Sequence, residues 1–246
     1  MKLLAVDTAS GCCSAALWMD GGLLTREFHT GRDHARLLLP MIHSLLAEAG
    51  WPLGRLDAIA FGRGPGSFTG LRIAAAVTQG LAFGADLPVL PVSDLEALAL
   101  QVARHLQAVG AAAPGQVLAC MDARMGEIYS GLFLLDHEGL PVPAVERVEP
   151  AAACVARLSE TSSVASPASL WAGAGMGWQA YAEVLGVLRV PMERVLPQAE
   201  PLAVDIARLG ARHWSAGGAL PAEAAVPVYL RDDVARPAAS PAGAAV

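Results

Sequence analysis

Lys2-Leu3-Leu4-Ala5-Val6-Asp7 is a short apolar run that ends in an acid, and 115 residues later Val117-Leu118-Ala119-Cys120-Met121-Asp122 repeats it. Each run is followed by a turn and a second extended segment. Cys13 to Met19 precedes Asp20-Gly21-Gly22, and Glu127 to Leu135 precedes Asp136-His137-Glu138-Gly139, so each half begins with a β-hairpin. The same offset sets Gly11 against Gly126 and Leu17 against Leu132. A second echo follows at an offset of 111, where Ala60-Phe61-Gly62-x-Gly64-x-Gly66 meets Trp171-Ala172-Gly173-x-Gly175-x-Gly177. Two ordered matches at nearly one offset point to an internal duplication, with coincidence in an Ala- and Gly-rich chain as the competing account.

Between these landmarks the pattern is α/β. Apolar spacing predicts a helix over His34 to Ala49, closed by Gly50 and Pro52. A buried strand over Leu56 to Phe61 runs into Gly62-Arg63-Gly64-Pro65-Gly66-Ser67. Ser67 caps a helix reaching about Phe83. Val89 to Val92 reads as a strand, and Ser93 caps a helix to about Leu106. A helix near Ala203 to Trp214 and an extended run Pro227 to Arg231 follow. The domains expected are 1–98 plus about 203–232 as one lobe and 99–202 as the other, with 233–246 a disordered tail of Ala, Pro, Gly and Ser.

Composition narrows the function. The chain has 246 residues, 54% of them hydrophobic and 16% charged, and a mean hydropathy of +0.44, yet no apolar stretch approaches the ~18 residues of a membrane span. Leu3 to Val6 is too short for a signal peptide. A cytoplasmic protein is expected. The net charge of −6 leaves no overall basic footprint for autonomous nucleic-acid binding. Lys2 is the only lysine, which excludes Schiff-base chemistry and a Walker-type P-loop. Cys12, Cys13, Cys120 and Cys154 form no C-x-x-C and read as core residues, and the six histidines form no metal motif.

An acid at a strand end beside a glycine-bearing turn, present twice, is a way to hold a nucleotide between two lobes: amides meet phosphates and acids hold the metal. Asp7, Thr8, Ser10 and Gly11 fit the first position, and Asp122 with Gly126 the second. The bulky Arg124, Met125 and Glu127 in the second turn favour a vestigial site. Gly64, Gly66 and Ser67 offer an anion site at a helix start, or simply a tight turn. Asp94 and Glu96 read as acids that offset a helix dipole. The helix from His34 carries the stripe Leu38, Met41, Ile42 and Leu45, widened by Leu37, Leu39 and Leu46 beyond one core face. The helix after Ser67 adds Gly70, Ala74, Ala75 and Ala76. A partner surface or burial within the chain would each explain that surplus.

Leu4-Ala-Val-Asp-Thr-Ala-Ser10, His34-Ala-Arg-Leu-Leu-Leu-Pro-Met-Ile42, Gly64-Pro-Gly-Ser-Phe-Thr-Gly-Leu-Arg-Ile73, Asp122-Ala-Arg-Met-Gly-Glu-Ile-Tyr129 and Tyr229-Leu-Arg231 resemble the TsaB (YeaZ) family. The resemblance runs to about residue 232. It implies two actin-like (ASKHA, ribonuclease H-like) lobes related by duplication. It also implies a pseudo-enzyme subunit that activates TsaD, the subunit forming N6-threonylcarbamoyladenosine at position 37 of tRNAs reading ANN codons. The metal-binding His-x-x-x-His pair of TsaD aligns with Asp94 and Leu98, and leucine cannot ligate a metal. No catalytic residue, metal or cofactor is then expected here, ATP and metal belonging to TsaE and TsaD. The implied partners are TsaD as a heterodimer, TsaE on that pair, a second copy of the chain when alone, and tRNA only through the complex. Mapped onto the helix pair, the interface expected is His34, Leu38, Met41, Ile42, Leu45, Leu71, Ala74 and Ala75. The vestigial loops are Asp7, Thr8, Ser10, Gly64, Gly66, Ser67, Asp122 and Arg124. The alternative is an actin-like ATP-dependent small-molecule kinase using Asp7 and Asp122. A protease finds no residues to carry it.

Overall fold

The computed structural model describes residues 1–19, 22–160 and 171–231; the expected tail, 233–246, lies outside the described residues. Among the described residues ten strands form two sheets. In the first, β1 (Lys2–Asp7), β2 (Cys12–Met19) and β3 (Gly22–His29) are antiparallel neighbours, and β4 (Ala58–Gly64) and β5 (Val89–Ser93) continue parallel to β1, in the order β3-β2-β1-β4-β5. In the second, β6 (Gln116–Arg124), β7 (Glu127–Leu134), β8 (Glu146–Pro150), β9 (Trp171–Ala174) and β10 (Val195–Leu196) repeat that plan, β6 taking the place of β1. Leu3 pairs with Ala58 and Leu118 with Gly173, the same spacing in each lobe. The duplication read from the sequence is therefore present in strand order and register.

Continuous apolar strands belong to sheets covered on both faces, and β1 is buried on both. Leu4 and Val6 face α1 (His34–Ala49) and α2 (Phe68–Ala85), whereas Leu3 and Ala5 face α7 (Ala203–Ser215). Gly210 lets α7 approach closely, since a Cβ there would lie 2.8 Å from the Ala60 Cβ. The α1 span is the one predicted, ending in left-handed Gly50. The strand expected at Leu56 begins at Ala58 and runs on to Gly64. The edge strand β3 was not anticipated, because Arg26, Glu27 and His29 deny it an apolar run.

A helix buried throughout its first two turns, α3 (Asp94–Ala108), joins the lobes. Ala97 and Leu100 pack with the first sheet, and Leu95, Leu98, Ala99, Val102 and Leu106 with the second. The boundary expected at 98/99 falls inside this shared helix. The second lobe is completed by α4 (Ala151–Glu160) and the single turns α5 (Gly177–Ala180) and α6 (Ala182–Leu185). No helix among the described residues is long and apolar enough to cross a membrane.

Candidate functional site

The first turn begins at Asp7, which is fully buried. Its Oδ1 accepts the Ala9 N–H at 3.2 Å, and its other oxygen faces Asp94 at the start of α3. Gly62 separates the two acids from the backbone above, and a Cβ at Gly62 would overlap both carboxylates. Asp94 is also fully buried, and its Oδ2 accepts the Gly64 N–H at 2.5 Å. Burial pushes the Asp7 carboxyl up to about 6. Burial, then the charge of Asp7, holds Asp94 well above the usual carboxylate range. Asp7 Oδ2 and Asp94 Oδ1 have no other partner among the described residues, so a proton shared between them supplies the donor both lack. Asp94 stands in the first turn of α3, as expected, and is in addition tied to Asp7 and Gly64. Leu98, four residues on, lies in the core.

The rest of the first turn is bound to the glycine loop. Thr8 Oγ1 donates to the Gly70 carbonyl at 2.7 Å, and the Ser67 N–H donates to the Ala9 carbonyl at 2.7 Å. Ser67 Oγ accepts the Gly70 N–H at 3.5 Å, as the predicted cap. Gly66 is required because a Cβ would lie 2.6 Å from the Ala9 oxygen. Ser10 Oγ accepts the Cys12 N–H at 3.3 Å. The Gly11 N–H, an amide of the glycine-bearing turn that faces the cleft, donates to Glu200 Oε1 at 2.9 Å, and Glu200 Oε2 lies 3.2 Å from His29 Nδ1. A carboxylate of the chain itself thus holds the anion position of this turn.

The second turn is open by comparison. The Asp122 side chain is 27% exposed. Its Oδ1 accepts the Arg124 N–H at 2.8 Å and the Tyr181 hydroxyl at 3.2 Å. Arg124 and Met125 adopt left-handed backbone at φ 66° and 56°, and both side chains are exposed. A cleft of about 620 Å³ lies between the turns, lined by Ser10, Gly66, Ser67, Asp122, Arg124 and Glu200, among others. Asp7, Thr8 and Gly64 lie beneath its floor. The C-terminal segment runs along its side: the Val228 N–H donates to the Arg63 carbonyl at 2.7 Å, and Arg231 pairs with Glu127. Tyr229 packs on Phe68 with ring centres 5.4 Å apart. The Arg72 guanidinium sits 3.6 Å from the Phe68 ring centre and bonds the Tyr229 hydroxyl. Glu200, His29 and Tyr181 reach the site only through tertiary packing, and no local sequence signal marks them.

The expected interface set needs correction. His34, Leu38, Ile42 and Leu45 on α1, and Leu71, Ala74 and Ala75 on α2, are buried in this chain; Met41 is half-buried, its sulfur 3.8 Å from the Cys13 sulfur. The stripe at regular helical spacing is the core face, as periodicity alone requires. Of the surplus leucines, Leu37 and Leu46 pack against the same core, and Leu39 stands on the other side, 49% exposed; on α2 Phe83 is 80% exposed, with Ala76 and Gly80 also at the surface.

Two copies of one five-stranded α/β unit, a shared helix, and a cleft between two acid-bearing turns define an actin-like protein. The family model for TsaD, tRNA N6-adenosine threonylcarbamoyltransferase, matches residues 26–183. The tRNA threonylcarbamoyladenosine biosynthesis protein TsaB of Escherichia coli (strain K12) is 36% identical over 239 residues, 96% of each chain. TsaB of Haemophilus influenzae is 47% identical over 129 residues, 52% of each. Among solved structures, YeaZ from Pseudomonas aeruginosa is similar with a TM-score of 0.75 and 42% identity, covering 93% of this chain and 99% of that one. The chain belongs to the TsaB (YeaZ) family.

Proposed function

We propose that this chain serves the formation of threonylcarbamoyladenosine at position 37 of tRNAs reading ANN codons, in the cytoplasm, as a non-catalytic partner and activator of TsaD. On this reading TsaE docks on the pair, tRNA is met only through the complex, ATP and the catalytic metal act on TsaE and TsaD, and the chain pairs with itself when alone. The likeness to TsaB over nearly the whole chain supports the pathway. The observation that carries the non-catalytic role is the Glu200 carboxylate on the Gly11 amide. A second anion brought there would meet a fixed negative charge in place of a free donor.

The partner surface is assigned to the outer sides of α1 and α2, where Leu39 and Phe83 stand exposed. Leu39→Glu and Phe83→Glu should fold and lose co-purification with TsaD, since a charge desolvated in an apolar contact is costly. Leu38→Glu puts the same charge into the core and should abolish folding instead. Wild-type yields of TsaD with both surface variants would refute the assigned face. Titration of the chain with Mg-ATP separates this reading from the kinase alternative: micromolar binding that disappears in Asp7→Ala would favour the kinase.

A further inference from the structure

Cys12 and His29 are 17 residues apart in sequence but directly opposite one another, as cross-strand partners at the ends of β2 and β3. Directly opposed residues present their side chains to the same face of a sheet. On that face Ser14 Oγ accepts the Ala203 N–H at 2.8 Å and so fixes the segment leading into α7. Glu200 lies in this segment. As a result the Cys12 thiol, a His29 ring nitrogen and a Glu200 carboxylate oxygen all lie within 4.8 Å of one another. Gly11 holds Glu200 Oε1 while Oε2 lies 3.2 Å from His29 Nδ1, and an outer hydrogen bond of this kind orients a metal-ligating carboxylate.

We propose that Cys12, His29 and Glu200 form a binding site for one borderline divalent metal ion of the zinc class, with the fourth position open to water. The donor set selects the metal. A sulfur ligand disfavours magnesium and calcium, whereas sulfur, imidazole and carboxylate together suit zinc and its spectroscopic substitute cobalt(II). Tetrahedral zinc places such donors about 3.3–3.6 Å apart, so binding requires the three groups to close in by up to about an ångström. The His29 side chain is 74% exposed and can make that movement. Cys12 is buried among acids: burial, then the charges of Glu200 and Glu27, push its thiol up to about 12. A divalent cation reverses the sign of that field, takes the thiolate, and releases the thiol proton to solvent. The occupied site would clamp the first turn, the edge strand and the lead-in to α7 together, while Glu200 stays on Gly11. It is independent of the role proposed with TsaD. Cys12 is buried, as the sequence reading expects, and the proposal adds to that a ligand 188 positions away.

The test is a titration of the reduced, metal-stripped full chain with cobalt(II), followed by zinc. The expected result is one cobalt per chain with a thiolate-to-cobalt charge-transfer band, bleached when zinc displaces it. Cys12→Ser should abolish the band. His29→Ala and Glu200→Gln should weaken binding more than about tenfold, because loss of an outer partner alone costs that much. Glu200→Gln keeps an acceptor for Gly11, and His29 is exposed, so those two variants decide the matter if Cys12→Ser does not fold. Absence of the band in the wild-type chain, or undiminished cobalt affinity in both His29→Ala and Glu200→Gln, would overturn the proposal.

Discussion

The two lobes share strand order and register, yet one acid-bearing turn is sealed and the other is open. The difference is a matter of four residues. Gly64 follows Asp7 by 57 positions, whereas Gly175 follows Asp122 by 53. Both glycines turn the chain out of a strand with positive φ, 114° and 103°. In the first lobe β4 runs past the level of Asp7, so Gly62 and Gly66 cover the acid and press on Ala9. In the second, β9 stops at Ala174, and Gly177 presses on Cys120 instead, two residues short of Asp122. Duplication preserved the scaffold, and a small change in strand length decided which acid meets solvent.

The largest expected effect breaks the seal directly. In Gly70→Ala the new Cβ would overlap the Thr8 carbonyl oxygen, backbone against backbone. A loss of about 4 kcal/mol or more is expected by urea unfolding. Gly126→Ala in the open turn meets no atom and carries only the strain of φ +81°, about 1–2 kcal/mol. Equal losses would mean the two turns are sealed alike.

The next effect is a pH dependence. With folded-state carboxyls raised above their unfolded values near 3.8, the folded chain binds the extra protons. Their contribution to stability is full below about pH 4 and is lost as pH rises through about 6 for Asp7. Buried Asp205, also raised to about 6, adds a slope of the same sign in any variant. Asp94→Asn keeps an acceptor for Gly64 and gives Asp7 a donor without a titrating proton. Its stability relative to wild type should therefore grow by on the order of 1–3 kcal/mol between pH 4 and 7. A difference that does not change with pH would deny the shared proton.

The smallest effect lies in the open turn. Tyr181→Phe removes the hydroxyl bonded to Asp122, and because that carboxylate keeps access to water the cost should stay below about 1 kcal/mol. A larger loss would show that the second turn is as closed as the first.

Local signals carried the scaffold and much less of the site. Apolar runs ending in Asp7 and Asp122, the Ser67 and Ser93 caps and the Gly50 terminus were legible because each depends on near neighbours in sequence. The edge strands β3 and β8 were not, since Arg26 and Glu27 in one and Glu146, Arg147 and Glu149 in the other break any apolar run. The glycine loop was recognised, but its amides turned out to be committed to Ala9, Asp94 and Ser67 of the same chain. Glu200 enters the cleft, and His29 meets Glu200, from distant segments where no spacing rule reaches. Leu38 and Leu45 show the opposite failure: a regular stripe marks the buried face, Leu37 and Leu46 widen it, and of the surplus Leu39 alone is exposed on the outer side.

The central claim is that this protein acts through the outer side of its first-lobe helices and not through its cleft. It is tested most directly by measuring threonylcarbamoyladenosine formation by TsaD and TsaE with wild-type chain, with Asp122→Asn, and with Leu39→Glu. The account predicts that Asp122→Asn supports formation as the wild type does and that Leu39→Glu does not. Full support by Leu39→Glu together with loss in Asp122→Asn would contradict it.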